Sequence, residues 1–96
     1  MKIPDKVRIG GIDYNISCED RLNNGEKLLL GQINYDKAVI KLAPYLQCEQ
    51  QRCQTLLHEI MHGIAHHFDL KVVDDEDTID KLAKGFCCRA IIQLCN

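Results

Sequence analysis

Within Thr55-Leu56-Leu57-His58-Glu59-Ile60-Met61-His62-Gly63, two histidines stand four residues apart, with an acid directly after the first. In an α-helix four residues turn the chain through about 400°, which puts His58 and His62 one above the other on the same face. Two imidazoles stacked in that way supply two corners of a tetrahedral zinc site, with Glu59 beside them as a candidate general base. With His58 as zero on the helical wheel, Thr55, Glu59, His62 and His66 fall within about 100° of one another. Cys53, Leu57, Ile60, Met61, Ile64 and Phe68 take the other side. The motif is therefore expected on the polar edge of an amphipathic helix, its apolar side buried and its zinc side open to water and substrate. An exposed helix face carrying two surface histidines and an acid is the rival reading.

A third ligand decides between them, because a catalytic zinc normally has three protein ligands plus water. The extended arrangement His-Glu-x-x-His-x-x-Gly-x-x-His is not met: glycine falls at Gly63, and His66 and His67 lie in or next to the same helix. A ligand one turn past His62 is about 6 Å further along the axis and cannot close on the same ion. The better candidate follows in Asp74-Asp75-Glu76-Asp77-Thr78-Ile79-Asp80, where Glu76 and Asp80 are four apart on the first turns of a second helix. Glu76 is the candidate third ligand, and Asp80 the candidate acceptor for the outer ring nitrogen of a ligating histidine. Acids also gather at helix starts to cap them and to complement the dipole. Four in a row exceed what capping needs.

These residues resemble a known group. His58-Glu59-x-x-His62 followed by Glu76-x-x-x-Asp80 is similar to the gluzincin pattern. The run from Glu76 to Ala83 resembles the second metal-ligand helix of the ImmA/IrrE-like zinc peptidases, most of all their small phage- and prophage-encoded zincin-like members. The resemblance is specific from Gln54 to Ala83 and loose before residue 30. It implies a Zn2+ cofactor and peptide-bond hydrolysis. It also implies a peptide or protein substrate, with a regulatory target such as a transcriptional repressor. By the same resemblance the strand preceding the helix, with Val39, Ile40 and Lys41, would hold an extended peptide by backbone pairing. Larger members continue well past the last helix, whereas this sequence ends at Asn96.

Ninety-six residues make one domain with a single modest core. A formal charge of -2 gives no electrostatic case for nucleic acid or an anionic membrane surface. Met1 to Lys6 has no apolar core long enough for a signal peptide, and no run approaches the ~18 apolar residues of a membrane span. A cytoplasmic protein is expected. Six cysteines suggest a disulfide framework by their even number, but without export the thiols should be reduced. There is no Cys-x-x-Cys pair, and most are expected to pack as small apolar residues.

Along the chain, Val7 to Cys18 alternates around Gly10-Gly11 and reads as two short strands about a tight turn, or one bent strand. Leu28 to Tyr35 and Ala38 to Leu42 read as a hairpin turned at Asp36-Lys37. The motif helix is expected from about Cys48 to His67, and Asp74 or Asp75 should cap a last helix from Glu76 to about Leu94. The apolar stripe of that helix is Ile79, Ala83, Phe86, Cys87, Ala90 and Leu94. The fold class is α+β: a small antiparallel sheet followed by two packed helices, a minimal zincin-like core. In the hydrolytic reading Glu59 takes a proton from water and passes it to the leaving amine, with Tyr35 and Tyr45 as candidate oxyanion donors. The alternative is a non-catalytic binding module in which zinc staples a small core.

Overall fold

In a computed structural model of the chain, residues 3–18, 29–43, 48–71 and 75–85 are described. Four strands, β1 (Lys6–Ile9), β2 (Ile12–Cys18), β3 (Gly31–Asn34) and β4 (Val39–Leu42), precede two helices, α1 (Glu49–His67) and α2 (Glu76–Lys84). The class is α+β, as the hydrophobic periods predict. Among the described residues no helix is long and apolar enough to cross a membrane.

β1 and β2 form a hairpin with Ile9 opposite Ile12. The two residues between them, Gly10 and Gly11, have φ of 58° and 85°. Positive φ at both central positions is what a two-residue turn needs to match the twist of its strands, and glycine adopts it without steric cost. β3 and β4 form the second hairpin, turned by residues 35–38, where Asn34 Oδ1 accepts the Lys37 N–H at 2.9 Å.

The two hairpins join through β2 and β4, which run parallel, giving the order β1-β2-β4-β3. The sheet is thus mixed where an antiparallel one was expected. β4 lies in the middle of the sheet with Ile40 and Leu42 buried under α1 and Val39 and Lys41 half-buried on the other face. β3, with Gly31, Gln32 and Asn34, is better suited to an edge.

α1 lies across the sheet. Val7, Ile9, Tyr14, Ile40 and Leu42 from the strands pack with Cys53, Leu56 and Ile60 from the helix. α2 packs on α1, and Leu57, Ile79 and Ala83 are buried outside that cluster. Cys53 is a core residue as expected of a reduced thiol, whereas Cys18 and Cys48 are free and exposed. Cys48 caps α1, its sulfur accepting the Gln51 N–H at 3.4 Å. Gly85 caps α2 at its end. The expected continuation of this helix through Phe86, Cys87, Ala90 and Leu94 lies outside the described residues.

On α1 the amide nitrogen of Gln54 is buried and has no hydrogen-bond partner among the described residues. A buried donor left without an acceptor costs more than an apolar group of similar shape. Gln54→Met keeps helix propensity and removes that donor. It should raise stability by about 1 kcal/mol, read as a rise in Tm of roughly 4–8 °C in a domain of this size.

Candidate metal centre

α1 carries His58 and His62 one turn apart, and their rings meet edge to face with centroids 4.9 Å apart. α2 begins beside them. Its N-cap is Asp75, whose Oδ1 accepts the Thr78 N–H at 3.1 Å and whose Oδ2 accepts the Thr78 hydroxyl at 2.8 Å. These bonds from Thr78 hold the Asp75 carboxyl below its ordinary range. Its contribution to the start of the helix is therefore complete above that range and is lost as pH falls through the lowered value. Glu76, the first residue of α2, is fixed by this cap and reaches back over α1.

Three side chains then converge. His58 Nε2 lies 2.8 Å from Glu76 Oε2, His62 Nε2 lies 3.0 Å from Glu76 Oε1, and the two Nε2 atoms are 3.2 Å apart. All three ligand atoms fall within 4.8 Å of one another. Donors held at about 2.0–2.1 Å in a tetrahedron are about 3.3 Å apart, so this cluster is close to the size a zinc ion requires. The donor set, two imidazoles and a carboxylate, is one that zinc takes. The outer ring nitrogen of His58 faces α2, with Nδ1 3.5 Å from Asp80 Oδ1. Asp80 is shared: its other oxygen is 2.7 Å from Lys84 Nζ, and chiefly this bond to Lys84 keeps the Asp80 carboxyl low.

Glu59 and His62 do not lie on an open edge. They are 7% and 8% exposed, because α1 is covered on that side as well as on its apolar side. The helical wheel of one helix cannot register the neighbours that close over it. Conversely, Phe68, assigned to the buried side, is 62% exposed. Burial pushes the Glu59 carboxyl above its ordinary value, against the pull of His58 and His62, while Glu76 adds to the rise. With the folded value raised, the stability linked to this group is fully present below its unfolded value and declines as pH rises through the folded one.

Gly31 is a site residue that motif reading missed. A Cβ there would lie 2.6 Å from the Thr55 methyl and 3.3 Å from Glu59 Oε2. Glycine lets the β3 backbone lie directly against the acid. A glycine inside an otherwise apolar and alternating run is the sequence signal for such close approach. The remaining histidines stand apart from the cluster: His66 stacks on Tyr35 with ring centroids 3.7 Å apart, and His67 packs edge to face on Phe68.

The peptide-pairing assignment to Val39, Ile40 and Lys41 is corrected by the sheet order. β4 is hydrogen-bonded to β2 on one side and β3 on the other, leaving it no edge to offer. Among the described residues, the strand with an unpaired edge beside the cluster is β3. Ala43 N–H donates to the Leu30 carbonyl at 2.9 Å. In an antiparallel pair the bonded positions alternate, so the N–H and C=O of Gly31 and Ile33 point outward. Along this edge a cleft of about 420 Å³ is lined by Gly31, Ile33, Tyr35, Glu59 and the three clustered side chains. Tyr35 donates to the His62 carbonyl at 3.5 Å. Tyr45 lies outside the described residues. In comparisons with protein families, curated proteins and solved structures, no family model, no curated protein and no solved structure matches this chain.

Proposed function

We propose that the protein is a zinc-dependent peptidase related to the gluzincins, in which His58, His62 and Glu76 hold the metal and Glu59 is the general base. The observation that carries this reading is the convergence of three ligand atoms from two helices beside a buried acid that is not one of them. When bound, zinc supplies Lewis acidity toward a carbonyl and a water molecule. The residues of the chain supply the rest. Glu59, with its carboxyl raised by burial, accepts the proton of the attacking water and returns it to the leaving amine. Asp80, facing His58 Nδ1, favours the tautomer that leaves Nε2 free for the metal. Gly31 and Ile33 pair with an extended substrate through their outward backbone groups. Tyr35 stands in the cleft wall, where its hydroxyl would have to exchange the His62 carbonyl for the carbonyl oxygen of the substrate. A regulatory protein such as a transcriptional repressor, met in the cytoplasm, is the substrate class this reading favours.

A site that only stapled α2 to α1 would need the same three ligands but not a buried Glu59 against the free strand edge. Elemental analysis of the purified protein should give one zinc per chain, lost in His58→Ala and in Glu76→Ala. No metal, or full retention in both variants, refutes the reading. One zinc without any peptide cleavage would instead leave the staple.

A further inference from the structure

We propose that His66 is a positioning residue, whose ring stacks on Tyr35 and holds the phenol at the metal end of the cleft along β3. From there the hydroxyl can leave the His62 carbonyl and donate to the oxyanion that forms on a substrate carbonyl. The inference rests on the peptidase reading above. It gives a role to the histidine that stands one turn too far along α1 to be a ligand.

Both rings are placed by the packing of β3 on α1. Gly31, Ile33 and Tyr35 alternate toward the helix, Tyr35 being the first residue past the strand. Gly63 admits that approach: a Cβ there would lie 3.1 Å from the Cδ1 of Ile33. Because Gly63 follows His62 directly, the end of β3 comes down beside the last turns of α1. The Lys37 N–H donates to Asn34 Oδ1 across the turn and fixes the backbone on either side of Tyr35. His62 and His66, four residues apart, share one face of α1. Tyr35 spans the two. Its hydroxyl donates to the His62 carbonyl at 3.5 Å, and its ring lies on the His66 imidazole with centroids 3.7 Å apart and planes 6° apart.

These two contacts are unequal. An O–H···O bond is ordinarily about 2.5–3.0 Å, so the one to His62 is long. In the α-helical pattern the same carbonyl receives the His66 N–H, so it keeps a partner when the phenol leaves. The stack is close and parallel, and it sets the plane of the phenol without holding its oxygen. Tyr35 is half-buried in the wall of the cleft that holds His58, Glu59, His62 and Glu76, whereas His66 stands exposed behind it. A donor already held in place when charge develops stabilises it without the cost of reorganisation. Removing the imidazole would free the phenol to turn toward solvent while the three ligand atoms stay where they are.

The test reads binding of a tetrahedral mimic, not turnover. The probe is an end-blocked phosphinic pseudo-tetrapeptide of glycine, whose anionic oxygens stand in for the oxyanion. Calorimetric titrations use the zinc-loaded full chain and four variants of it: Tyr35→Phe, His66→Ala, these two combined, and His66→Phe. Tyr35→Phe should weaken the probe about ten- to a hundredfold, the loss of a hydrogen bond to a charged oxygen. His66→Ala should weaken it about tenfold and keep one zinc per chain. The combined variant should bind no worse than Tyr35→Phe alone, because His66 acts only through the phenol. His66→Phe restores a flat ring and should bring affinity back to within about threefold of the parent. In the chelated protein, His66→Ala should also move the Tyr35 ring-proton resonances downfield, out of the shielding of the imidazole. Unchanged affinity in His66→Ala, losses that add in the combined variant, no recovery with His66→Phe, or a parent that does not bind the probe would overturn the proposal. So would unmoved Tyr35 resonances, or zinc lost with His66. Failure of the peptidase reading shows elsewhere, as absent zinc in the unsubstituted protein. One zinc per chain with the probe held equally by parent and His66→Ala defeats only the present inference.

Discussion

Glu59→Gln is expected to lower peptide cleavage by about a hundred- to ten-thousand-fold while the protein keeps one zinc per chain. Glutamine keeps the shape and can still donate and accept hydrogen bonds, but it cannot take a proton from water near neutral pH. Zinc should stay, because the three clustered ligand atoms come from His58, His62 and Glu76 and not from Glu59. The same variant has a second readout. Burial raises the Glu59 carboxyl in the folded protein, so ionising it at neutral pH works against folding. An uncharged amide removes that penalty, and the metal-free variant should melt no lower than the metal-free parent. Cleavage and zinc content are measured on one preparation, and melting on the chelator-treated protein. Zinc lost in this variant would make Glu59 a ligand. Undiminished cleavage would remove it from the chemistry.

What the sequence revealed followed from local periodicity, and what it concealed depended on neighbours. The helix from about Cys48 to His67 is written in residue spacing. Spacing left the second helix's cap open between Asp74 and Asp75, and Gly10-Gly11 open between a tight turn and one bent strand. The structure has the helix, the cap at Asp75 and the turn. The nearness of Glu76 and Asp80 to the histidines was also legible, since both acids sit at the edge of the apolar stripe begun by Ile79 and Ala83, and that stripe packs on the first helix. The order of the strands was not. Each hairpin is specified by its own turn, but nothing local says which strand of one hairpin meets which strand of the other. The parallel pairing of β2 with β4 is settled by burial of Ile40 and Leu42. That pairing moved the free edge from Val39–Leu42 to Gly31–Asn34. The burial of Glu59 was hidden for the same reason: it depends on a strand some 25 residues earlier whose glycine admits it.

Removing zinc should cost the fold more than any single surface substitution, because the ion would bridge the two helices. A ligand bound only by the native state stabilises it by about 4 kcal/mol when present at a thousand times its Kd. In a domain of this size each kcal/mol moves Tm by roughly 4–8 °C. Chelation should therefore lower Tm by more than about 10 °C. The loss should fall on α2, because without the ion Glu76 is held among the described residues by its contacts with His58 and His62 and is itself largely exposed. Two variants separate the acids of that helix. Glu76→Gln replaces an anionic ligand and should abolish the zinc-dependent rise in Tm. Asp80→Asn leaves the three ligand atoms in place and weakens only the acceptor facing His58 Nδ1, a change that typically costs about 10- to 100-fold in metal affinity. Its loss should sit toward the smaller end, because Lys84 holds Asp80 at 2.7 Å while His58 is 3.5 Å away. Competition with a chelator, run beside the melting curves, ranks the two. If Asp80→Asn proves the more damaging, Asp80 is the ligand and Glu76 the supporting acid.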